Sequence, residues 1–155
     1  VVLSKTRKQT EEALSSVKHV LNNDLKLELS LEKTNITTFS KGFSFLGFDI
    51  SSWSVKMRNK SVEKFKDKVR NLTIRCHNLD AEVINKLNQV IRGTANYFAT
   101  SFSHCLKIFK RLDHWIRMRI RCMKFKRISR KDNFRLRLKH IRRLGLLSMI
   151  NFCHS

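Results

Sequence analysis

Proline is missing from all 155 residues, and glycine occurs only four times. A chain so poor in both carries no Pro- or Gly-rich linker between modules. Cysteine is sparse and scattered. Cys76, Cys105, Cys122 and Cys153 never form a C-x-x-C, which points to a reducing compartment rather than a disulfide scaffold. No apolar run reaches the roughly 20 residues of a membrane-spanning helix, and no segment reads as a signal-peptide core. The most consequential shortage is of carboxylates. Only 12 Asp and Glu occur, and no two Asp are adjacent. Metal-assisted phosphoryl transfer gathers such groups to hold its cations. This chain by itself is therefore expected neither to polymerise nor to cut nucleic acid.

Against those 12 acids stand 33 Lys and Arg, a net charge of +21 with an isoelectric point near 10.6. The excess is graded along the chain: net +1 over 1–50, +6 over 51–106 and +14 over 107–155. In the last third only Asp113 and Asp132 oppose 16 bases. Like charges spaced i,i+4 destabilise an isolated helix, so an unneutralised run implies an outside polyanion. Arg outnumbers Lys there, and its planar fork suits phosphate and base stacking. Nucleic acid is the expected partner. An anionic membrane surface is the rival, weakened because the polycation spans two helices separated by a break.

The hydrophobic fraction of 41%, with 11 Phe, is enough for a core. "VVLS" suits a short strand. Thr6 and Gln9 make a capping box before Ala13, Leu14, Val17 and Leu21, predicting a helix over about 7–22. "LKLEL" and "ITTF" alternate with period two, and "FSFLGFDI" reads as strand-turn-strand. The first third is thus expected to be β-α-β-β-β. From Ser61, a plausible N-cap, the period becomes helical, with Val62, Phe65, Val69 and Leu72 as a seam. Asp80 caps a second helix through Ile84, Leu87 and Ile91, which Gly93 is expected to interrupt before Ala95, Phe98 and Phe102 resume it briefly. Residues 103–127 fit both a helix and an alternating strand, and length without Gly or Pro favours the helix. On it Lys110, Arg117, Arg121 and Lys124 share one face. A last helix over about 131–143 ends at Gly145.

Other constellations carry less. The neighbours Cys76-His77, His104-Cys105 and Cys153-His154 point apart on regular structure, so no metal site is expected. His114 beside Asp113 has no accompanying nucleophile and reads as part of the basic surface.

These residues carry a family resemblance. "LKLELSLEKTNITTFSKGFSFLGFDI" resembles the end of the palm of group II intron-encoded reverse transcriptases, with its L-x-L-x-x-E-K-T element and F-x-F-L-G-F hairpin. "LNQVIRGTANYF" (87–98) is similar to the L-N-P-x-I-R-G-W-x-N-Y-F signature of the maturase domain. "LDHWIRMRIRCMKFKR" (112–127) and "RRLG" (142–145) resemble its L-D-x-W-I-R-R-R-L-R helix and basic ending. The opening "VVLSKT", which starts with Val rather than Met, resembles the segment directly after that family's catalytic Tyr-Ala-Asp-Asp turn. The chain therefore reads as a fragment or processed piece that begins after the metal-binding aspartates. Gln89 stands where the family usually has Pro and Thr94 where it usually has Trp, so a split or decayed gene stays open.

The resemblance implies an α+β chain: a palm edge over 1–52, then a helical thumb and maturase module over 58–146. It implies binding of structured intron RNA, in aid of its folding and splicing, inside a bacterial cytoplasm or organelle matrix, without a membrane. The expected phosphate ligands are Lys110, Arg117, Arg121, Lys124, Arg135, Arg137, Lys139, Arg142 and Arg143. Lys33 would assist the pyrophosphate leaving group in a complete polymerase, and Phe45, Leu46, Gly47 and Phe48 would form its primer grip. Mg2+ is expected only for that complete enzyme, and a partner chain could supply its fingers and catalytic palm. Two alternatives are one piece of a split polymerase and a non-specific basic binder.

Overall fold

A computed structural model describes residues 1–30, 32 and 34–153. They form two compact units, Val1–Lys41 and Gly42–Ser155. The class is α+β, with a small antiparallel sheet and a helical C-terminal module.

In the first unit α1 (Arg7–Asn23) starts where the capping box predicts. The Gln9 N–H donates to Thr6 Oγ1, and the Thr6 N–H donates to Gln9 Oε1, both at 3.3 Å. The strands expected at "VVLS", "LKLEL" and "ITTF" are not found among the described residues. A strand exists only beside a neighbour that accepts its hydrogen bonds. Here Val2, Leu3, Leu25, Leu27 and Ile36 stay exposed, so alternation alone did not make a sheet.

The sheet lies entirely in the second unit, as a meander of β1 (Phe43–Phe45), β2 (Phe48–Ser51) and β3 (Ser54–Met57). Phe45 pairs with Phe48 across a two-residue turn in which Leu46 and Gly47 both have positive φ, 47° and 84°. That is the turn geometry a right-twisted hairpin favours. A side chain on Gly47 would also meet Ser61 Oγ at 3.0 Å and the Phe98 ring at 3.3 Å. Gly47 is thus required by conformation and by packing together. β3 was not foreseen; its Met57 is buried and its Val55 half-buried against the helical core.

Three helices follow: α2 (Asn59–Leu72), α3 (Ala81–Phe98) and α4 (Leu106–Phe125). Arg58, not Ser61, is the α2 N-cap, and Ser61 instead donates its hydroxyl to Gly47 O at 3.1 Å. Asp80 caps α3 as expected, accepting from the Val83 N–H at 2.8 Å. α3 runs through Gly93 without a break. Packing of Ile91, Ala95 and Phe98 outweighs the about 1 kcal/mol that a mid-helix glycine costs. α4 resolves the ambiguous stretch as helix and ends where Lys126 turns left-handed. The single helix expected over 131–143 is two, α5 (Asp132–Arg135) and α6 (Leu138–Arg143). Between them Leu136 leaves the helix and buries its side chain.

The core of this unit joins Phe48 and Met57 to the inner faces of α2, α3 and α4. It also takes in Met149, which is fully buried in a 3-10 helix over Met149–Phe152.

Candidate nucleic-acid interface

α4 and the segment after it hold most of the charge, and the structure divides that charge into two sets. In the first set the bases are engaged by groups of the protein itself. Arg119 reaches the end of α2, donating from Nε to Thr73 Oγ1 at 3.1 Å and from NH2 to Thr73 O at 2.9 Å. Arg121 is only 9% exposed and donates from Nε to Leu136 O at 3.0 Å, which fixes the bend between α5 and α6. Burial, and then the nearby Arg117 charge, push the Arg121 guanidinium below its usual pKa. Arg127 grips the buried Asp132 with two hydrogen bonds of 3.3 and 3.2 Å. Arg135 lies 4.5 Å over the Phe125 ring and 3.5 Å from the same carboxylate. Those arginines, Arg127 first, hold the Asp132 carboxyl below its ordinary range. Lys126 donates to His77 O at 2.5 Å.

The second set is unpaired. Lys110, Lys124, Lys139, Arg142 and Arg143 are exposed and Arg117 is half-buried. Among the described residues none of these six makes a salt bridge. Arg137 is exposed and donates weakly to Phe134 O at 3.4 Å. Helical spacing aligns Arg121 with Lys110, Arg117 and Lys124, but the chain at Leu136 covers it. The expectation that Arg121 shares an open face is corrected on that ground. No hydrogen bond or ion pair links the α6 bases to those of α4 among the described residues.

Neither acid of the last third is left to neutralise this surface. Asp132 is enclosed by Arg127 and Arg135. Asp113 is 3% exposed and accepts from the Ser148 hydroxyl, from the Met149 N–H at 2.9 Å and from the Ile150 N–H at 3.3 Å. It thereby caps the 3-10 helix from another element. Asn88 clamps the same segment, donating to Gly145 O at 2.8 Å and accepting from the Leu147 N–H at 2.9 Å.

Residues 62–144, more than half of the chain, match the family "Group II intron, maturase-specific domain". The chain belongs to that family. No curated protein sequence matches it. Within the maturase domain, "LNQVIRGTANYF" turns out to be a set of locks. Leu87, Ile91, Ala95 and Phe98 form the buried seam, Asn88 holds the C-terminal segment, and Tyr97 donates its hydroxyl to Leu46 O at 2.8 Å. In "LDHWIR", Leu112 and Ile116 are core, Asp113 caps, and Trp115 lies 5.6 Å beneath Arg70. Sequence reasoning left "LLSMINFCHS" without a role. Its apolar Leu146, Leu147, Met149 and Ile150 were the signal that it packs.

The hairpin residues separate in the same way. Phe48 is buried in the core, whereas Phe45 and Leu46 are exposed. Lys33 lies outside the described residues. His104 is tied to β3, its N–H donating to Val55 O at 2.8 Å. Cys105 Sγ lies 3.1 Å from Cys153 Sγ, and burial with that contact pushes the Cys153 thiol up to about 12. Among the described residues no three His, Cys, Asp or Glu converge as a metal site, and no helix is long and apolar enough to cross a membrane.

Proposed function

We propose that this maturase domain binds structured intron RNA electrostatically and so assists its folding and splicing. One observation carries the reading: exposed or half-exposed Lys110, Arg117, Lys124, Lys139, Arg142 and Arg143 have no acidic partner among the described residues, while both nearby acids are consumed inside. Unpaired cations on rigid helices release counterions when they meet phosphates, and that release drives association. Arg137 and the outer nitrogens of Arg135 extend the same surface. Arg121 acts from beneath, by holding the α5–α6 bend. The test is competition binding with intron RNA, unrelated RNA of equal length and anionic vesicles. Preference for intron RNA is the expected result; equal competition by vesicles or any duplex would reduce the chain to a non-specific basic binder.

A second reading is favoured by the first unit. Val2, Leu3, Val17, Val20, Leu25 and Leu27 are exposed there, an unusual amount of apolar surface for 41 residues. In that reading a reverse transcriptase's fingers and catalytic palm cover it, whether on a partner chain or elsewhere in a longer one. Phe45 and Leu46 then approach the primer, and Lys33 the leaving group. The described residues offer no donor set for Mg2+, so the metal would be held by the catalytic palm. Primer extension that appears only on mixing with such a partner supports the reading, and its absence with a folded partner removes it.

A further inference from the structure

We propose that the groove beside α3 receives an unpaired nucleotide of single-stranded RNA, with its base in the groove and its phosphate on α2. The inference rests on the RNA-binding reading and refines it. The groove has a volume of about 460 Å³ and is lined by Lys68, Gln89, Gly93, Thr94, Tyr97 and Phe98, among others. That size falls within the roughly 300–1,000 Å³ of small-ligand clefts.

Three features fit a nucleotide. The first is the space itself: a side chain built on Gly93 would meet nothing within 4 Å, so the helix surface is bare where its neighbours carry side chains. The second is an aromatic wall held in place. Tyr97 is 50% exposed, yet its hydroxyl is bound to Leu46 O and its ring stacks 5.9 Å from Phe48 and meets Phe98 edge-on at 4.8 Å. A half-open ring that is already fixed gives a stacking surface at little entropic cost. The Gln89 amide and Thr94 hydroxyl beside it can bond to base edges.

The third feature is charge. Lys60, Lys64 and Lys68 form an exposed i,i+4 row on α2 with no acidic partner among the described residues. The α2 acids Glu63 and Asp67 are engaged elsewhere, by Lys66 at 2.7 Å and Arg70 at 2.6 Å. Among the described residues no acid lines the groove. A cationic row beside a preformed ring matches a phosphodiester joined to a base. A lipid headgroup would use the lysines and leave the ring and amide idle.

The test uses the full chain and fluorescence anisotropy with three probes: a short single-stranded RNA, the same strand with its central nucleotides abasic, and an RNA duplex. The intact strand is expected to bind about tenfold more tightly than the abasic one. Gly93→Leu fills the groove at an unstrained helical position. It should bring intact-strand affinity down to the abasic level and leave the duplex unchanged, with thermal unfolding confirming the fold. Tyr97→Leu, which removes the ring, should lose the same preference for the intact strand while the duplex still binds. Lys68→Ala should weaken intact and abasic strands alike and reduce the salt slope by about 1. Equal binding of intact and abasic strands, or wild-type behaviour of Gly93→Leu, overturns the groove; persisting salt-dependent duplex binding then leaves the broader RNA reading standing. If none of the three RNAs binds, both fall. Loss of acidic-peptide or vesicle binding in Gly93→Leu, with RNA binding unaffected, would assign the groove to another partner and overturn the proposal.

Discussion

Arg119, Arg121, Arg127 and Arg135 spend their donors on the protein itself: on Thr73, on Leu136 O and on Asp132. On the outer face of α4 and along α6, side chains of the same kind turn outward and meet no acid among the described residues. Both regions belong to one polycation, and composition does not separate them. What separates them is whether a backbone carbonyl or a buried carboxylate lies within reach. A buried guanidinium has lost water and must regain hydrogen bonds from the protein, so it becomes part of the fold. An exposed one keeps its water and can exchange it for phosphate. Counting charges therefore overstates the RNA-facing set and hides a structural one.

The largest expected effect tests the inward region. Asp113→Ala removes the acceptor of Ser148, Met149 and Ile150 and strands buried donors beside the core. A loss of about 3 kcal/mol in denaturant unfolding is expected, with the segment after Gly145 becoming protease-sensitive. Arg121→Ala comes next at about 2 kcal/mol, because Leu136 O loses its charged donor. The comparison breaks if Arg121→Ala leaves stability untouched and instead weakens RNA binding.

The third prediction concerns acid. Arg127 and Arg135 lower the folded-state pKa of Asp132. A depressed carboxyl contributes stability that is present above its unfolded pKa, about 3.9, and is lost as pH falls through the folded one. The melting temperature should hold down to about pH 5 and then decline. Asp132→Asn should start lower and decline less; an unchanged acid profile contradicts the pairing. The smallest stability effect belongs to the outward region. Lys110→Ala and Lys124→Ala should each change stability by less than about 0.5 kcal/mol. Each should also reduce the salt slope of RNA binding by about 1.

Local chemistry was legible in the sequence wherever it was self-contained. Thr6 and Gln9 announce α1, Asp80 announces α3, and the apolar seams of α2 and α3 are legible because helical hydrogen bonds close within the element. Strands close only against a neighbour. "LKLEL" alternates and pairs with nothing described, while "SVKM", with a similar but shorter alternation, is β3 because β2 lies beside it. The break between α5 and α6 was invisible for a similar reason. It depends on Arg121, 15 residues away, drawing Leu136 O out of the helix. Family motifs located the maturase domain, but the roles of Asn88, Asp113 and Tyr97 in it emerge only from which backbone atoms they reach.

The most direct test measures the salt dependence of intron RNA affinity for the wild type, for Arg121→Ala and for a Lys110, Lys124, Arg142 and Arg143 quadruple alanine variant. With about six phosphates engaged, the wild-type log–log slope should lie near −5. The quadruple variant should lose about 3 to 4 of those units. Arg121→Ala, measured where it remains folded, should keep the wild-type slope. A wild-type slope shallower than about −2, or a quadruple variant with an unchanged slope, would contradict the assignment of the unpaired surface to RNA.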